Sequence, residues 1–331
     1  MRKTKKMQNK NQVTTKTLDE WFEFWIETYK KDSVKIGTYA DYRQYYNSII
    51  RKRLGGILLS EISPERIQQL YNELYRSGYS VSTIKIVSSI LGGCLEQSTR
   101  NGILSRNPVR LAVLPKNRER KERRCLSKEQ QNLFMEYAEK SYLYPLFSFL
   151  LRTGLRSGEA RAIKAQDIDF EKGVLHIRKT LKYLGGIGYF EDSPKTRSSY
   201  RDIPLTEETA ELLRAQMSTE NSSGYLFTTR SGNPLNKDLL QYEIDRIVRT
   251  IRADGIEFER ITPHVFRHTF ATRAIEVGMS PQVLKTILGH SSLAMTMDLY
   301  SHVLPETRFS EMEKLENVLS SQTNILGGKL T

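Results

Sequence analysis

Cysteine is nearly absent from this chain: Cys94 and Cys125 are the only two among 331 residues. A single pair in a chain this long argues against a disulfide scaffold and fits a reducing cytoplasm. The five histidines are scattered, and with so few thiols no zinc-type ligand spacing forms. No apolar run approaches the ~20 residues that a membrane-spanning helix needs. The basic start, Met1-Arg2-Lys3-Thr4-Lys5-Lys6, is not followed by an apolar segment, so it does not read as a secretory signal. A Gly-rich phosphate loop and a carboxylate cluster are missing too. These absences predict a cytoplasmic protein without membrane contact, metal or other cofactor.

Acidic residues are also short, and the net charge of +13 calls for a polyanionic partner. Its distribution is uneven. Residues 1–16 carry Arg2, Lys3, Lys5, Lys6, Lys10 and Lys16 with no acid, a net of +6. Residues 109–128 carry eight basic residues against Glu119 and Glu122, again +6, so the rest of the chain is nearly neutral. Such runs can be solvated tails. Two of them, one between two predicted domains, point instead to DNA passing nearby. Arg118, Arg120, Lys121, Arg123 and Arg124, and further on Arg197, are the candidate contacts.

What is present reads as mainly α. Thr17 can cap a helix whose Leu18, Trp21, Phe22, Trp25 and Tyr29 share a face. Tyrosine-rich turns follow from Thr38 to Ile50. Ser63-Pro64 opens another helix, with Ile67, Leu70, Tyr71 and Leu74 buried, that Gly78 ends. A fourth runs from about Ser82 to Arg100, and Asn107-Pro108 stops it. This helical bundle, residues 17–108, follows the basic tail 1–16, which is too short for a folded domain of its own. A basic linker is expected at 109–126. A second domain opens at Ser127-x-x-Gln130, a capping-box pattern, and extends to about 303. Alternation at Val174–Lys182, a turn at Ser193-Pro194 and more alternation at Tyr200–Leu205 predict one small antiparallel sheet. From Asn236 to Leu319 the pattern is helical, broken at Gly255, Gly278 and Gly289. Within a C-terminal tail, 304–331, Phe309, Met312, Leu315 and Leu319 form an amphipathic stripe that suits a neighbouring subunit or its own domain.

Several polar residues stand where a core helix would not need them. Arg156, in Thr153-Gly154-Leu155-Arg156-Ser157-Gly158-Glu159-Ala160, directly follows a very apolar helix. It lies within one turn of Glu159 and can form a structural ion pair with it. In Pro263-His264-Val265-Phe266-Arg267-His268-Thr269-Phe270, His264 and Arg267 project one turn apart; periodicity alone does not choose between His264 and His268. Leu288-Gly289-His290 follows a helix capped by Ser280-Pro281, and Tyr300 comes ten residues later.

In their order and spacing, these segments resemble the tyrosine recombinase (phage integrase) family, most closely the integrases of phages and conjugative transposons. The resemblance spans about Ser127 to Val303 and, more loosely, the helical first domain as a core-binding module. It implies the DNA breaking-rejoining enzyme fold: a helical N-terminal bundle plus a mainly-α catalytic domain with a small antiparallel β-sheet. It implies that Arg156, His264, Arg267 and His290 surround a scissile phosphate that Tyr300 attacks, with Glu159 and His268 in support. A lysine on the turn of the small sheet completes the family's site, and Lys195 in Ser193-Pro194-Lys195-Thr196 matches it; Lys179, Lys182 and Arg197 lie close by.

The expected activity is metal- and ATP-independent recombination of double-stranded DNA through a 3′-phosphotyrosine and a Holliday junction. Two planar guanidiniums can hold the non-bridging oxygens, and the covalent intermediate conserves the bond energy. Their positive field should also favour the tyrosine phenolate. The resemblance further implies a homotetramer on DNA and leaves room for an accessory DNA-bending or excision protein. Two other readings are a Xer-type resolvase of chromosome or plasmid dimers and a non-catalytic DNA-binding regulator.

Overall fold

A computed structural model describes residues 15–116, 124–194, 196–218 and 223–303, with positions 312, 313, 315–317 and 319 beyond them. Two units divide the chain, Met1–Lys121 and Glu122–Thr331. In the first, Thr17 caps helix α1 (Leu18–Trp25): its hydroxyl accepts from the Glu20 N–H at 3.3 Å, and the Glu20 carboxylate accepts from the Thr17 N–H at 2.8 Å. Leu18, Trp21, Phe22 and Trp25 recur at helical spacing and are all buried. α2 (Ile36–Tyr45), α3 (Arg51–Leu54), α4 (Pro64–Arg76) and α5 (Val81–Arg100) complete the bundle. Ser63 and Pro64 start α4, and Gly78, at φ +82°, follows its end. The Trp21 indole N–H donates to the Cys94 carbonyl at 3.0 Å, tying α1 to α5. Burial pushes the Cys94 thiol far above its usual range, so Cys94 is an inert core residue.

The division between the units falls inside the expected linker, 109–126, and described residues at both its ends pack on the units. Val109, Ala112 and Leu114 pack on the first core, and Gln68 brackets Val113 with hydrogen bonds of 2.8 and 3.1 Å. Leu126 belongs to the other core, its N–H donating to Thr269 Oγ1 at 3.0 Å. Both ends fold because apolar residues are interleaved with the charges and gain by burial. Arg118, Arg120, Lys121 and Arg123 lie outside the described residues, as does the basic tail up to residue 14.

The second unit runs α6 (Lys128–Ala138), α7 (Tyr144–Thr153), α8 (Ser157–Ala160), β1 (Ile168–Asp169), β2 (Val174–Ile177), β3 (Thr180–Leu184), β4 (Gly188–Asp192), β5 (Arg201–Pro204), α9 (Glu207–Met217), α10 (Lys237–Ala253), α11 (Pro263–Glu276), α12 (Pro281–Leu288) and α13 (Leu293–Val303). Ser127 and Gln130 form the expected capping box on α6. At the centre, the Phe147 ring stacks on Phe266 at 5.6 Å and meets Phe134 edge-on at 5.4 Å. This packing fixes α11 against α7 and puts Arg267 at the margin of the core.

Among the described residues there are two small antiparallel sheets where the sequence pattern predicts one. β1, β2 and β5 form the first, with Leu175 opposite Ile203 and Ile177 opposite Arg201. β3 and β4 form a separate hairpin, Thr180 opposite Asp192. The alternation at 174–182 spans two strands, parted at Arg178 and Lys179. Those side chains pair elsewhere, Arg178 with Asp202 at 2.5 Å and Lys179 with Asp167 at 3.2 Å. The Ser193-Pro194 segment therefore connects β4 to β5 and is not a hairpin turn. α9, capped by Thr206, was not predicted; it buries only Thr209, Ala210 and Leu213, too weak a stripe to read.

Met312, Leu315 and Leu319 are exposed, and Phe309 lies outside the described residues. Among the described residues no helix is long and apolar enough to cross a membrane.

Candidate active site

Two left-handed glycines, where the chain must leave a helix abruptly, shape the site. Gly154 (φ +62°) ends α7 and Gly289 (φ +65°) ends α12. A Cβ on Gly154 would fall on the Phe270 ring, and one on Gly289 would meet Arg201 Nη1 at 3.0 Å, so glycine is required twice over. The chain after Gly154 places Arg156 at the start of α8. The Arg156 N–H donates to Glu159 Oε2 at 3.0 Å and its Nη1 to Glu159 Oε1 at 2.8 Å, the ion pair that the spacing suggested. Arg156 Nη2 also donates to the Gly289 carbonyl at 3.3 Å.

Arg267 reaches the same place from α11. Its Nη1 donates to the Gly154 carbonyl at 2.9 Å and its Nη2 to the Leu288 carbonyl at 2.7 Å. Burial, then the positive charge of Arg156, pulls its pKa down to about 9, which still leaves it charged at neutral pH. His264, one turn earlier, keeps an exposed surface. Burial lowers its pKa below 6.5, and the charges of Arg267 and then Arg156 add to the shift. A neutral imidazole next to two guanidiniums can accept a proton at pH 7. His268, four residues on, is half-buried. His290 is buried directly after Gly289, and its Nδ1 shares a 2.9 Å hydrogen bond with the buried Thr296 hydroxyl. The structure thus gathers Arg156, Glu159, His264, Arg267 and His290 around the ends of α7 and α12.

A cavity of about 360 Å³ opens beside Arg156 and Glu159, lined further by Thr180, Lys182, Ser193, Pro194, Thr196 and Ser291 among others. Lys195 lies outside the described residues, but its neighbours Pro194 and Thr196 line this cavity. Lys182 also lines it and pairs with Asp192 at 2.6 Å. Lys179 is held between Asp167 and Glu191 at 3.2 and 3.6 Å. Arg197 is exposed in the short turn Arg197–Ser199. Arg124 is turned onto its own unit, where it pairs with Glu259 at 2.6 Å and donates to the Arg260 carbonyl at 2.7 Å.

Tyr300, on α13, sits among Phe270, Ala271, Met279, Leu284 and Leu299, and its hydroxyl donates to the Met279 carbonyl. Burial raises its pKa. The expectation of a phenolate favoured by nearby cations is therefore not met in this arrangement: the phenol faces a carbonyl.

One further charged residue in this cluster was not foreseen. Arg201, on β5, pairs with Glu159 through both η nitrogens, Nη2 to Oε2 at 2.9 Å and Nη1 to Oε1 at 3.2 Å. Burial opposes the charge on Glu159, but the Arg201 hydrogen bonds, with help from Arg156, outweigh it and hold the carboxyl below its usual value. Arg201 lies 42 positions from Glu159, and no local spacing relates them.

The model of the phage integrase family matches residues 124–307, more than half of the chain, and that of the phage integrase N-terminal SAM-like domain matches residues 17–75. The chain belongs to the phage integrase family. Like the family, it is a tyrosine recombinase, and the mainly helical fold with small antiparallel sheets is the expected one. A XerC-like tyrosine recombinase of Caldanaerobacter subterraneus is 29% identical over 91% of this chain and 83% of its own length. The transposase of transposon Tn916 from Enterococcus faecalis is 27% identical over 82% of this chain and 71% of its own. Among solved structures, the Tn1549 transposon integrase in complex with a circular intermediate DNA superposes with TM-score 0.77 at 24% identity, covering 90% of this chain and 99% of that one. A lambda integrase tetramer bound to a Holliday junction gives TM-score 0.65 at 20% identity, over 87% and 78%.

Proposed function

We propose that this recombinase cuts and rejoins duplex DNA through a 3′-phosphotyrosine on Tyr300, and integrates or excises a mobile element. The observation that carries the reading is the pair of guanidiniums, Arg156 and Arg267, on the successive carbonyls of Gly289 and Leu288. Two cations are held together there, and an anion bound between them would relieve their repulsion. A phosphodiester under attack gains charge on its two non-bridging oxygens, which the remaining guanidinium N–H groups can share.

In the proposed step Tyr300 Oη bonds to phosphorus and the bond to the 5′ oxygen breaks. His264 takes the phenol proton, Lys195 supplies a proton to the departing 5′ oxygen, and His290 donates to a phosphate oxygen through Nε2. The products are a 3′-phosphotyrosine and a 5′-hydroxyl. Attack by the 5′-hydroxyl of a second duplex reverses the step and exchanges strands, with no bond energy lost to hydrolysis. Two such exchanges pass through a Holliday junction and need four subunits. The lambda integrase tetramer on such a junction supports this assembly.

The test is a duplex nicked beside the cleavage point, whose short 5′-hydroxyl fragment diffuses away after attack. The protein is expected to accumulate as a covalent adduct, and proteolysis with mass spectrometry should locate it on Tyr300. Specific binding without any adduct would establish the regulator reading instead. A second role, resolution of replicon dimers, is supported by the XerC-like relative. It predicts recombination between two identical core sites, whereas an integrase joins unlike attachment sites.

The depressed His264 pKa gives the acid limb a sign. Because the His264 pKa is lowered, the free enzyme keeps this imidazole neutral further into acid than an ordinary histidine, and the acid limb of kcat/KM for cleavage should lie below the usual histidine range. His264→Asn should erase that limb. An acid limb centred above pH 6.5 and unchanged in His264→Asn would assign the proton transfer to another group.

A further inference from the structure

The last turn of α12 presents three consecutive carbonyls, and each accepts from a different arginine. Ile287 takes Arg201 Nε at 2.6 Å, Leu288 takes Arg267 Nη2 at 2.7 Å and Gly289 takes Arg156 Nη2 at 3.3 Å. Helix-end carbonyls lack partners within the helix and form the negative end of its dipole, so they suit three cations. The recombinase reading gives two of these arginines, Arg156 and Arg267, to the phosphate. The third stands apart: the Arg201 side chain is only 2% exposed and that of Glu159 only 5%.

The division of the Glu159 carboxylate gives Arg201 its use. Both oxygens are engaged by the Arg201 fork, and Arg156 Nη1 shares only Oε1. Arg156 thereby gives one η nitrogen to Glu159 and the other to the Gly289 carbonyl, which leaves three of its five guanidinium N–H groups for the cavity it lines. Without Arg201, Glu159 would be a buried carboxylate facing a single cation. The strongest pairing then open to it is a two-pronged one with Arg156. That pairing would turn both η nitrogens toward Glu159 and offset the charge meant for the phosphate.

Resting on the recombinase reading, we propose that Arg201 is a positioning residue for the reaction. It occupies Glu159 so that the carboxylate orients Arg156 without capturing it. It also bonds the Ser199 carbonyl at 3.2 Å, which ties β5 and the turn preceding it to the same charge cluster. The residue acts through Arg156 and touches no reacting atom.

The experiment compares wild type, Arg201→Met, Arg201→Lys, Glu159→Gln and the double variant Arg201→Met/Glu159→Gln as full-length proteins. The probe is a nicked core-site duplex carrying either the natural scissile phosphate or a methylphosphonate, in which a methyl group replaces one charged oxygen. Adduct formation is followed at saturating DNA, beside core-site affinity and thermal melting. Arg201→Met should lower the adduct rate on phosphate about 100-fold, the scale of one misplaced oxyanion donor, while affinity changes less than about threefold. Arg201→Lys should not rescue it, because an ammonium cannot make the two-pronged contact. On methylphosphonate, where less charge needs balancing, the deficit should shrink to under about tenfold. The double variant, with no carboxylate left to capture Arg156, should recover at least about tenfold over Arg201→Met.

A folded, DNA-binding Arg201→Met that cleaves phosphate at the wild-type rate would overturn the proposal. So would an equal deficit on the two substrates, which marks a merely structural loss. If Arg201→Met does not fold, Arg201→Lys takes its place as the reference, and a folded double variant no faster than Arg201→Lys overturns it. Wild type that forms no adduct overturns the recombinase reading and this inference with it.

Discussion

Tyr300→Phe is expected to bind its core site as wild type does and to form no covalent adduct at all. The substitution removes one oxygen and leaves the ring in its apolar setting of Ala271, Leu284 and Leu299. The lost hydrogen bond to the Met279 carbonyl is worth about 1 kcal/mol, so the fold should persist. Loss of the nucleophile, in contrast, is total, since a phenyl ring cannot form the phosphoester. Denaturing electrophoresis of the nicked-duplex reaction reads the result. An adduct that survives in Tyr300→Phe would transfer the reaction to another of the seventeen tyrosines. In the proposed reaction the Tyr300 hydroxyl, which donates to the Met279 carbonyl, would exchange that partner for the proton acceptor.

Arg267→Ala should lower the cleavage rate about 1000-fold or more, because it removes a preorganised donor from the developing charge. It should also destabilise the second unit. Arg267 is buried, and its loss leaves the Gly154 and Leu288 carbonyls without that donor, at about 1–3 kcal/mol for each one not reached by water. Rates must therefore be taken below the melting temperature of the variant. Arg267→Lys is the sharper probe. One ammonium cannot satisfy Gly154, Leu288 and a phosphate at once, so a loss of about 100-fold is expected despite the retained charge. A Lys variant within tenfold of wild type would show that Arg267 acts as a point charge, against the two-carbonyl geometry.

Much of the site was legible because its signals are local. Arg156 and Glu159 are one turn apart, Thr17–Glu20 and Ser127–Gln130 cap their own helices, and Gly289 ends α12 directly before His290. The hairpin of β3 and β4 escaped because alternation continues across Arg178 and Lys179, and only their remote partners show where one sheet stops. The charge of the expected linker, 109–126, hides the packing of Val109 and Leu114 against the first core and the place of Leu126 in the second. Choosing His264 over His268 by periodicity was not possible. The positive charges of Arg267 and Arg156 that lower the His264 pKa come from packing, which no local spacing shows.

By itself the sequence determined which chemical groups are present, where helices begin and end, and which family the chain resembles. Each of these depends on residues a few positions apart, so the spacing carries the information. Only the tertiary structure decided that Arg267 bonds a carbonyl 113 positions away, that Arg201 shares Glu159 with Arg156, and that Tyr300 rests on Met279. Hydrogen-bond partners and pKa shifts of buried ions are set by whichever segments packing brings together, and that neighbourhood is not written in the local order of residues.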